Sequence, residues 1–158
     1  EILIGLVGSE MCIRDSSYGQ IVESMRRLPV ESARHEPPRV AVSRSHKSPE
    51  LAEYIEELRK SHPDLEVVEQ GSSYKFCLLA EGAVDYYFRT TSTYEWDTAA
   101  GELILSEAGG ETLSLPDYRP LRYNKTDLVN PWFFCRARKM PGCRPEAEMM
   151  VGECSAAD

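Results

Sequence analysis

The sequence predicts an α/β layered domain, and three observations carry that reading. Short runs rich in Val, Leu and aromatic residues alternate with segments whose apolar residues recur at helical spacing. The breaks between them fall on Gly, Pro and Ser, which punctuate regular structure rather than continue it. No internal repeat is visible, and 158 residues suffice for one domain with a real core.

Taken in order, residues 1–16 resemble translated sequencing-adapter read-through, so they are set aside from the fold as a non-native segment. On that expectation the native chain was cut upstream. Their apolar run Ile2–Val7 is too short to span a bilayer and lacks a basic leader. From Tyr18 to Leu28, the spacing of Ile21, Val22, Met25 and Leu28 predicts a helix. Residues 29–38 hold three prolines and read as a linker.

Arg39-Val40-Ala41-Val42-Ser43 predicts a buried strand, ending in the polar turn Ser43-Arg44-Ser45-His46. Ser48 then caps a helix that has Pro49 at its first position. Leu51, Tyr54, Ile55 and Leu58 form its inner face, with a Glu56–Lys60 pair on its surface. Leu65 to Glu69 reads as a second strand. Gly71-Ser72-Ser73 breaks it and opens a short helix, with Phe76, Leu78 and Leu79 inward and Gly82 as its stop. Asp85 to Arg89 is a third strand, rich in aromatics.

The next helix organises the rest. Trp96, Ala100, Leu103, Ile104 and Ala108 recur at helical spacing and predict one buried stripe. Ser92 and Glu95 have capping-box spacing, and Gly109-Gly110 supplies a stop. Thr98-Ala99-Ala100-Gly101 is small throughout, so a neighbour can approach the first turns closely. Thr112–Leu115, Leu121–Tyr123 and Trp132–Cys135 read as further strands. Periodicity is lost after Lys139, so 17–139 is the domain and 140–158 a disordered or non-homologous tail.

The formal charge of −8 lies mostly in the two terminal stretches and says little about partners. No basic stripe appears, so binding to a nucleic-acid polymer has no electrostatic support and none is expected, and no segment suits a membrane. The odd count of five cysteines lacks framework or CxxC spacing; Cys77 and Cys135 sit among apolar residues as core groups. A reduced, cytoplasmic setting is the expectation.

Four stretches offer chemistry. Ser43-Arg44-Ser45-His46 puts hydroxyls, a guanidinium and an imidazole at a strand's end, where α/β domains place ligands; a solvated turn would look the same. Ser72 and Lys75 stand three apart at a helix start, beside amides that attract anions, or are an ordinary cap and an exposed lysine. Arg89 ends the aromatic strand and could grip a phosphate bidentately, or be solvated. Asp97, in a helix's first turn, is by spacing alone an acid favoured by the helix dipole.

The wording of these stretches adds a resemblance. Glu95-Trp96-Asp97-Thr98-Ala99-Ala100-Gly101, an apolar run, then Glu107-Ala108-Gly109-Gly110 resembles the C-terminal signature of the inositol monophosphatase superfamily of magnesium-dependent phosphomonoesterases. Ser-Arg-Ser-His (43–46), Gly-Ser-Ser-Tyr-Lys-Phe-Cys (71–77), Asp-Tyr-Tyr-Phe-Arg (85–89) and Leu-Arg-Tyr-Asn-Lys (121–125) occur with it in order. Over roughly residues 39–135 the series is similar to the C-terminal half of the CysQ-type 3'(2'),5'-bisphosphate nucleotidases.

That resemblance implies the second α/β half of a layered αβαβα sugar-phosphatase fold. It implies hydrolysis of the 3'-phosphate of adenosine 3',5'-bisphosphate to AMP and phosphate, in sulfur assimilation. His46, Ser72, Lys75, Arg89 and Asp97 would contact the nucleotide bisphosphate, with Asp97 also a ligand for Mg2+. The alternatives are an inositol or sugar phosphatase of the same superfamily, or a non-catalytic nucleotide-binding fragment. Phe88 stands where such families usually have Pro. The superfamily's Asp-Pro-x-Asp-Gly metal motif is lacking: none of the seven aspartates precedes Pro or Gly. The water-activating residues are therefore expected in an N-terminal half missing from this chain, and the fragment alone should be inactive.

Overall fold

The computed structural model describes residues 28, 35–45 and 47–137. The expected helix at 18–28, apart from Leu28, and both terminal segments lie outside them. Three helices and seven strands follow, beginning with β1 (Arg39–Ser43). Val40, Ala41 and Val42 are all buried, as suits a strand covered on both faces. β1 pairs in parallel with β2 (Glu66–Gln70) on one side and β3 (Tyr86–Arg89) on the other. β3 runs antiparallel to β7 (Phe133–Arg136), which is antiparallel to β5 (Glu111–Ser114), giving the order β2-β1-β3-β7-β5. A separate two-residue ribbon joins β4 (Thr93–Tyr94) to β6 (Val129–Asn130).

The pleat divides the core by residue parity. On one face Val40, Val42, Tyr86, Phe88 and Phe134 pack with Leu51, Ile55 and Leu58 of α1 (Pro49–Ser61). On the other, Ala41, Tyr87, Phe133 and Cys135 meet Phe76 and Leu79 of α2 (Tyr74–Glu81) and Leu105 of α3 (Glu95–Glu107). Phe133 and Phe134 are fully buried on opposite faces, each worth about 1.5–3 kcal/mol of burial. Cys77 is half-buried, and both it and Cys135 are free thiols.

Helix α1 starts as the sequence predicts: Ser48 Oγ accepts from the Leu51 N–H at 3.2 Å, and Pro49 occupies the first position. Its surface pairs are different, Glu56 with Arg59 and Glu57 with Lys60, each three residues apart rather than Glu56 with Lys60.

The third helix departs further. Trp96 and Leu103 are 66% and 59% exposed, and Ala100 is exposed too, so the predicted stripe is not a buried one. The buried line is Glu95, Thr98, Gly101, Leu105 and Ala108. Small side chains decide it: a Cβ on Gly101 would lie 2.7 Å from the Phe76 ring, so the helix packs on α2 through its small face. The larger apolar residues then point away. Asp97, not Glu95, closes the first turn, accepting from the Tyr94 N–H at 2.9 Å. Residues 121–123 form no strand; a lone bridge, Leu113 to Pro120, is all that pairs there. Pro120 immediately precedes that stretch and has no N–H to give a ladder.

Candidate active site

The sheet order reverses at β1, whose neighbours are its next two strands in sequence. Ligands gather outside the carboxyl ends at such switch points. There, Ser43 of β1 lies beside Gln70 of β2, and a Cβ on Gly71 would come 3.4 Å from an Arg44 guanidinium nitrogen. Arg44 thus leans over the Gly71–Ser73 turn, a juxtaposition that needs the parallel pairing and is invisible in the sequence.

Ser72 has φ +62°, a left-handed backbone that a non-glycine residue adopts at a cost of roughly 1–2 kcal/mol. Lys75 holds that turn. Its Nζ donates to the carbonyls of Gln70 (3.1 Å) and Ser72 (2.7 Å), and lies 4.9 Å from the Tyr87 ring centre. The residue is 1% exposed, not the solvent-exposed lysine of the simpler reading. Burial, reinforced by the Arg89 charge, lowers its pKa from 10.5 to about 8. Burial likewise pushes the Tyr87 phenol up, opposed by a hydrogen bond with Arg89. Arg89 Nη2 donates to the Ser92 carbonyl at 3.5 Å, while its buried Nε and the Thr91 hydroxyl have no partner. Among the described residues, neither Lys75 nor Arg89 has a carboxylate partner. Two cations without a carboxylate partner, beside a left-handed turn, have the chemistry to hold an anion.

A second arrangement surrounds the first turn of α3. Glu95 accepts from the Asn124 N–H (2.6 Å), the Lys125 N–H (3.1 Å) and Lys125 Nζ (2.5 Å). The Lys125 hydrogen bond leads the causes that hold its carboxyl below the usual range. Asn130 Nδ2 donates to the Tyr94 carbonyl (2.9 Å) and to Thr98 Oγ1 (3.0 Å), which also accepts from the Tyr123 hydroxyl at 3.2 Å. Burial raises the Tyr123 phenol to about 12. Sequence reading missed Glu95 and Asn130 in these roles, since each bond spans about thirty residues. The small Thr98 was the one signal of a crowded turn.

The structure thus brings Ser72, Lys75 and Arg89 together. Asp97 is exposed at the start of α3, one oxygen taken by the Tyr94 N–H, with no contact linking it to those three. His46 lies outside the described residues. Among the described residues, no three His, Cys, Asp or Glu side chains gather to hold a metal ion. Mg2+ requires near-octahedral oxygens, and one carboxylate offers a single ligand. These residues do not form a magnesium site by themselves, and no chemical step is derived through that ion.

Parallel strands meeting at a switch point, in a five-stranded sheet with helices packed on both faces, define an α/β layered fold. Comparison with known proteins then fixes its kin: the inositol monophosphatase family profile matches residues 11–132, and the chain belongs to that family. It is 41% identical over 115 residues to the 3'(2'),5'-bisphosphate nucleotidase CysQ of Salmonella typhimurium, covering 68% of this chain and 42% of that one. The crystal structure of CysQ from Bacteroides thetaiotaomicron superposes with a TM-score of 0.70 at 45% identity, over 86% of this chain and 49% of that one. Inositol monophosphatase II from Staphylococcus aureus superposes at 0.56 with 18% identity, over 77% of this chain and 42% of that one, sharing the fold. The chain therefore spans about half the length of these relatives. None of the helices of the described residues is long and apolar enough to cross a membrane.

Proposed function

We propose that this chain is the C-terminal half of a magnesium-dependent phosphomonoesterase that converts adenosine 3',5'-bisphosphate to AMP and phosphate. Residues 17–139 would be its share of the domain, with 1–16 and 140–158 outside it. Likeness to the CysQ enzymes supports the reading, and one observation carries it: buried Lys75 of α2 and Arg89 at the end of β3 feel each other's charge, and neither has a carboxylate partner among the described residues. A singly phosphorylated substrate needs cations only at its scissile group. A bisphosphate needs a second, permanent anion site.

In this reading Ser72, Lys75 and Arg89, with His46, bind the nucleotide and its non-scissile 5'-phosphate. The Ser72 turn presents its hydroxyl and amides, and Arg89 offers the free Nε. Asp97 supplies one oxygen ligand to Mg2+. When bound, the ion would acidify the attacking water and neutralise charge on the phosphoryl oxygens. The other ligands and the water-activating residues come from an N-terminal half, so the chain alone is inactive. Its setting is cytoplasmic, in sulfur assimilation, with no polymer or membrane partner.

The test joins the chain to the N-terminal half of the Bacteroides relative and compares Lys75→Ala and Arg89→Ala on two substrates. Each variant removes a charge-assisted contact worth about 1.5–3 kcal/mol, so KM for the bisphosphate should rise steeply. Inositol 1-phosphate should be affected much less. Equal losses on both would mean that these cations serve the scissile phosphate or the fold.

A further inference from the structure

The parallel pairing brings three chain positions to one end of the sheet. Arg44 follows the last residue of β1, Gly71 follows the last residue of β2, and Arg89 ends β3. Lys75 joins them from α2, since its Nζ reaches the Gln70 carbonyl and it feels the Arg89 charge. These cations differ in the donors they have left. Lys75 is buried and directs two of an ammonium's three N–H groups at the Gln70 and Ser72 carbonyls. Arg89 donates to the Ser92 carbonyl and is also bonded to Tyr87. Arg44 is exposed, and among the described residues its guanidinium has neither an ion pair nor a hydrogen bond.

The neighbouring strand shows why. Both acids of β2 are engaged by other cations, Glu66 by Arg39 and Glu69 by Lys47, so neither quenches Arg44. The guanidinium instead lies over Gly71, one residue beyond the Ser43–Gln70 pair, where no side chain displaces it. An unquenched planar fork is thus held above the same turn that Lys75 braces from below.

We propose that Arg44 is a specificity-determining residue whose guanidinium closes over the Gly71–Ser73 turn onto the non-scissile 5'-phosphate of the nucleotide. The inference rests on the nucleotide reading above and adds to it a contact outside the residues that reading assigns. A phosphate monoester near neutral pH carries close to two negative charges on three accepting oxygens. Lys75 has one N–H left for them. A second guanidinium beside Arg89 supplies paired donors in the plane that two phosphate oxygens prefer. A ligand without that phosphate gains nothing from Arg44, which is what makes the residue discriminating.

Equilibrium dialysis of the 158-residue chain tests it, with AMP, whose one phosphate is the 5' group, beside adenosine and inositol 1-phosphate. Arg44→Ala should weaken AMP about tenfold or more, the loss of one charge-assisted contact, and leave adenosine binding and the thermal melt unchanged. Arg44→Lys should recover only part of that loss, because an ammonium lacks the bidentate fork. Arg59→Ala, in the last turn of α1 and paired with Glu56, should change nothing. Unchanged AMP affinity in Arg44→Ala overturns the proposal, as does an equal loss on adenosine or from Arg59→Ala. A wild-type chain that takes up neither phosphate at millimolar concentration overturns it also. Tighter binding of inositol 1-phosphate than of AMP, with both weakened by Arg44→Ala, would sink the nucleotide reading and leave Arg44 a phosphate contact. A preference for AMP that Arg44→Ala does not touch would sink the contact and leave the nucleotide reading standing.

Discussion

Lys75 shows how one buried residue links fold and chemistry. Its ammonium braces the carbonyls of Gln70 and Ser72, and its charge is the one that burial makes titratable near neutrality. With a folded pKa of about 8 against 10.5, the unfolded chain binds more protons between those values. This group therefore makes the fold more stable as pH rises across that window, and less stable below it. Binding has the opposite sign. On the proposed reading deprotonation removes a charge that holds the bisphosphate, so kcat/KM for it in the fused enzyme should fall above about pH 8. Lys75→Arg, which keeps a cation, should abolish that limb while retaining affinity; a limb that persists in the variant would assign it elsewhere. Asp97→Asn separates two roles in the same way. An amide oxygen can still accept from the Tyr94 N–H, so stability should drop by at most about 1 kcal/mol. Magnesium-dependent turnover should vanish if the carboxylate is a ligand; a surviving rate would leave Asp97 a helix-capping acid.

Among the elements, α1 and α3 show what a sequence exposes and what it hides. Ser48-Pro49 marked the start of α1 because capping is local: the hydroxyl meets an amide three residues on. Ser48→Ala should cost about 1 kcal/mol in a urea melt, with the Thr90 hydroxyl at 2.8 Å also losing its partner. Loss of nothing would show that water replaces the cap. In α3 the period was legible but not the direction. Trp96 and Leu103 looked like core because apolar spacing cannot distinguish a face turned to its own sheet from one turned to the surface. Gly101 carried the true signal. Gly101→Val should destabilise by about 1–3 kcal/mol, since its side chain would enter the buried Phe76 ring. Ala100→Val, on the exposed side, should cost only the helix-propensity difference, at most about 0.7 kcal/mol. Equal effects would place the packing face wrongly.

For the whole molecule, strands β1, β3 and β7 were readable because they are continuous apolar runs, and their order around β1 then gathered the site. Ser72 and Lys75 were readable as neighbours from their spacing, but not Lys75's burial, which depends on Tyr87 from another strand. Glu95 with Lys125, and Asn130 with Thr98, were unreadable because nothing in composition marks contacts across about thirty residues. On the proposed reading the described residues offer one carboxylate, Asp97, to the metal, and one carboxylate cannot assemble the clamp that phosphoryl transfer needs. Purified residues 1–158 should therefore release no phosphate from adenosine 3',5'-bisphosphate above buffer background, with or without magnesium.

The most direct measurement is kcat/KM of the fused enzyme for adenosine 3',5'-bisphosphate and for inositol 1-phosphate, side by side with magnesium. If the Lys75–Arg89 pair exists for a second phosphate, the bisphosphate should be favoured by one to two charge-assisted contacts, about 1.5–3 kcal/mol each, or at least tenfold. Equal efficiency, or a preference for inositol 1-phosphate, would contradict that assignment.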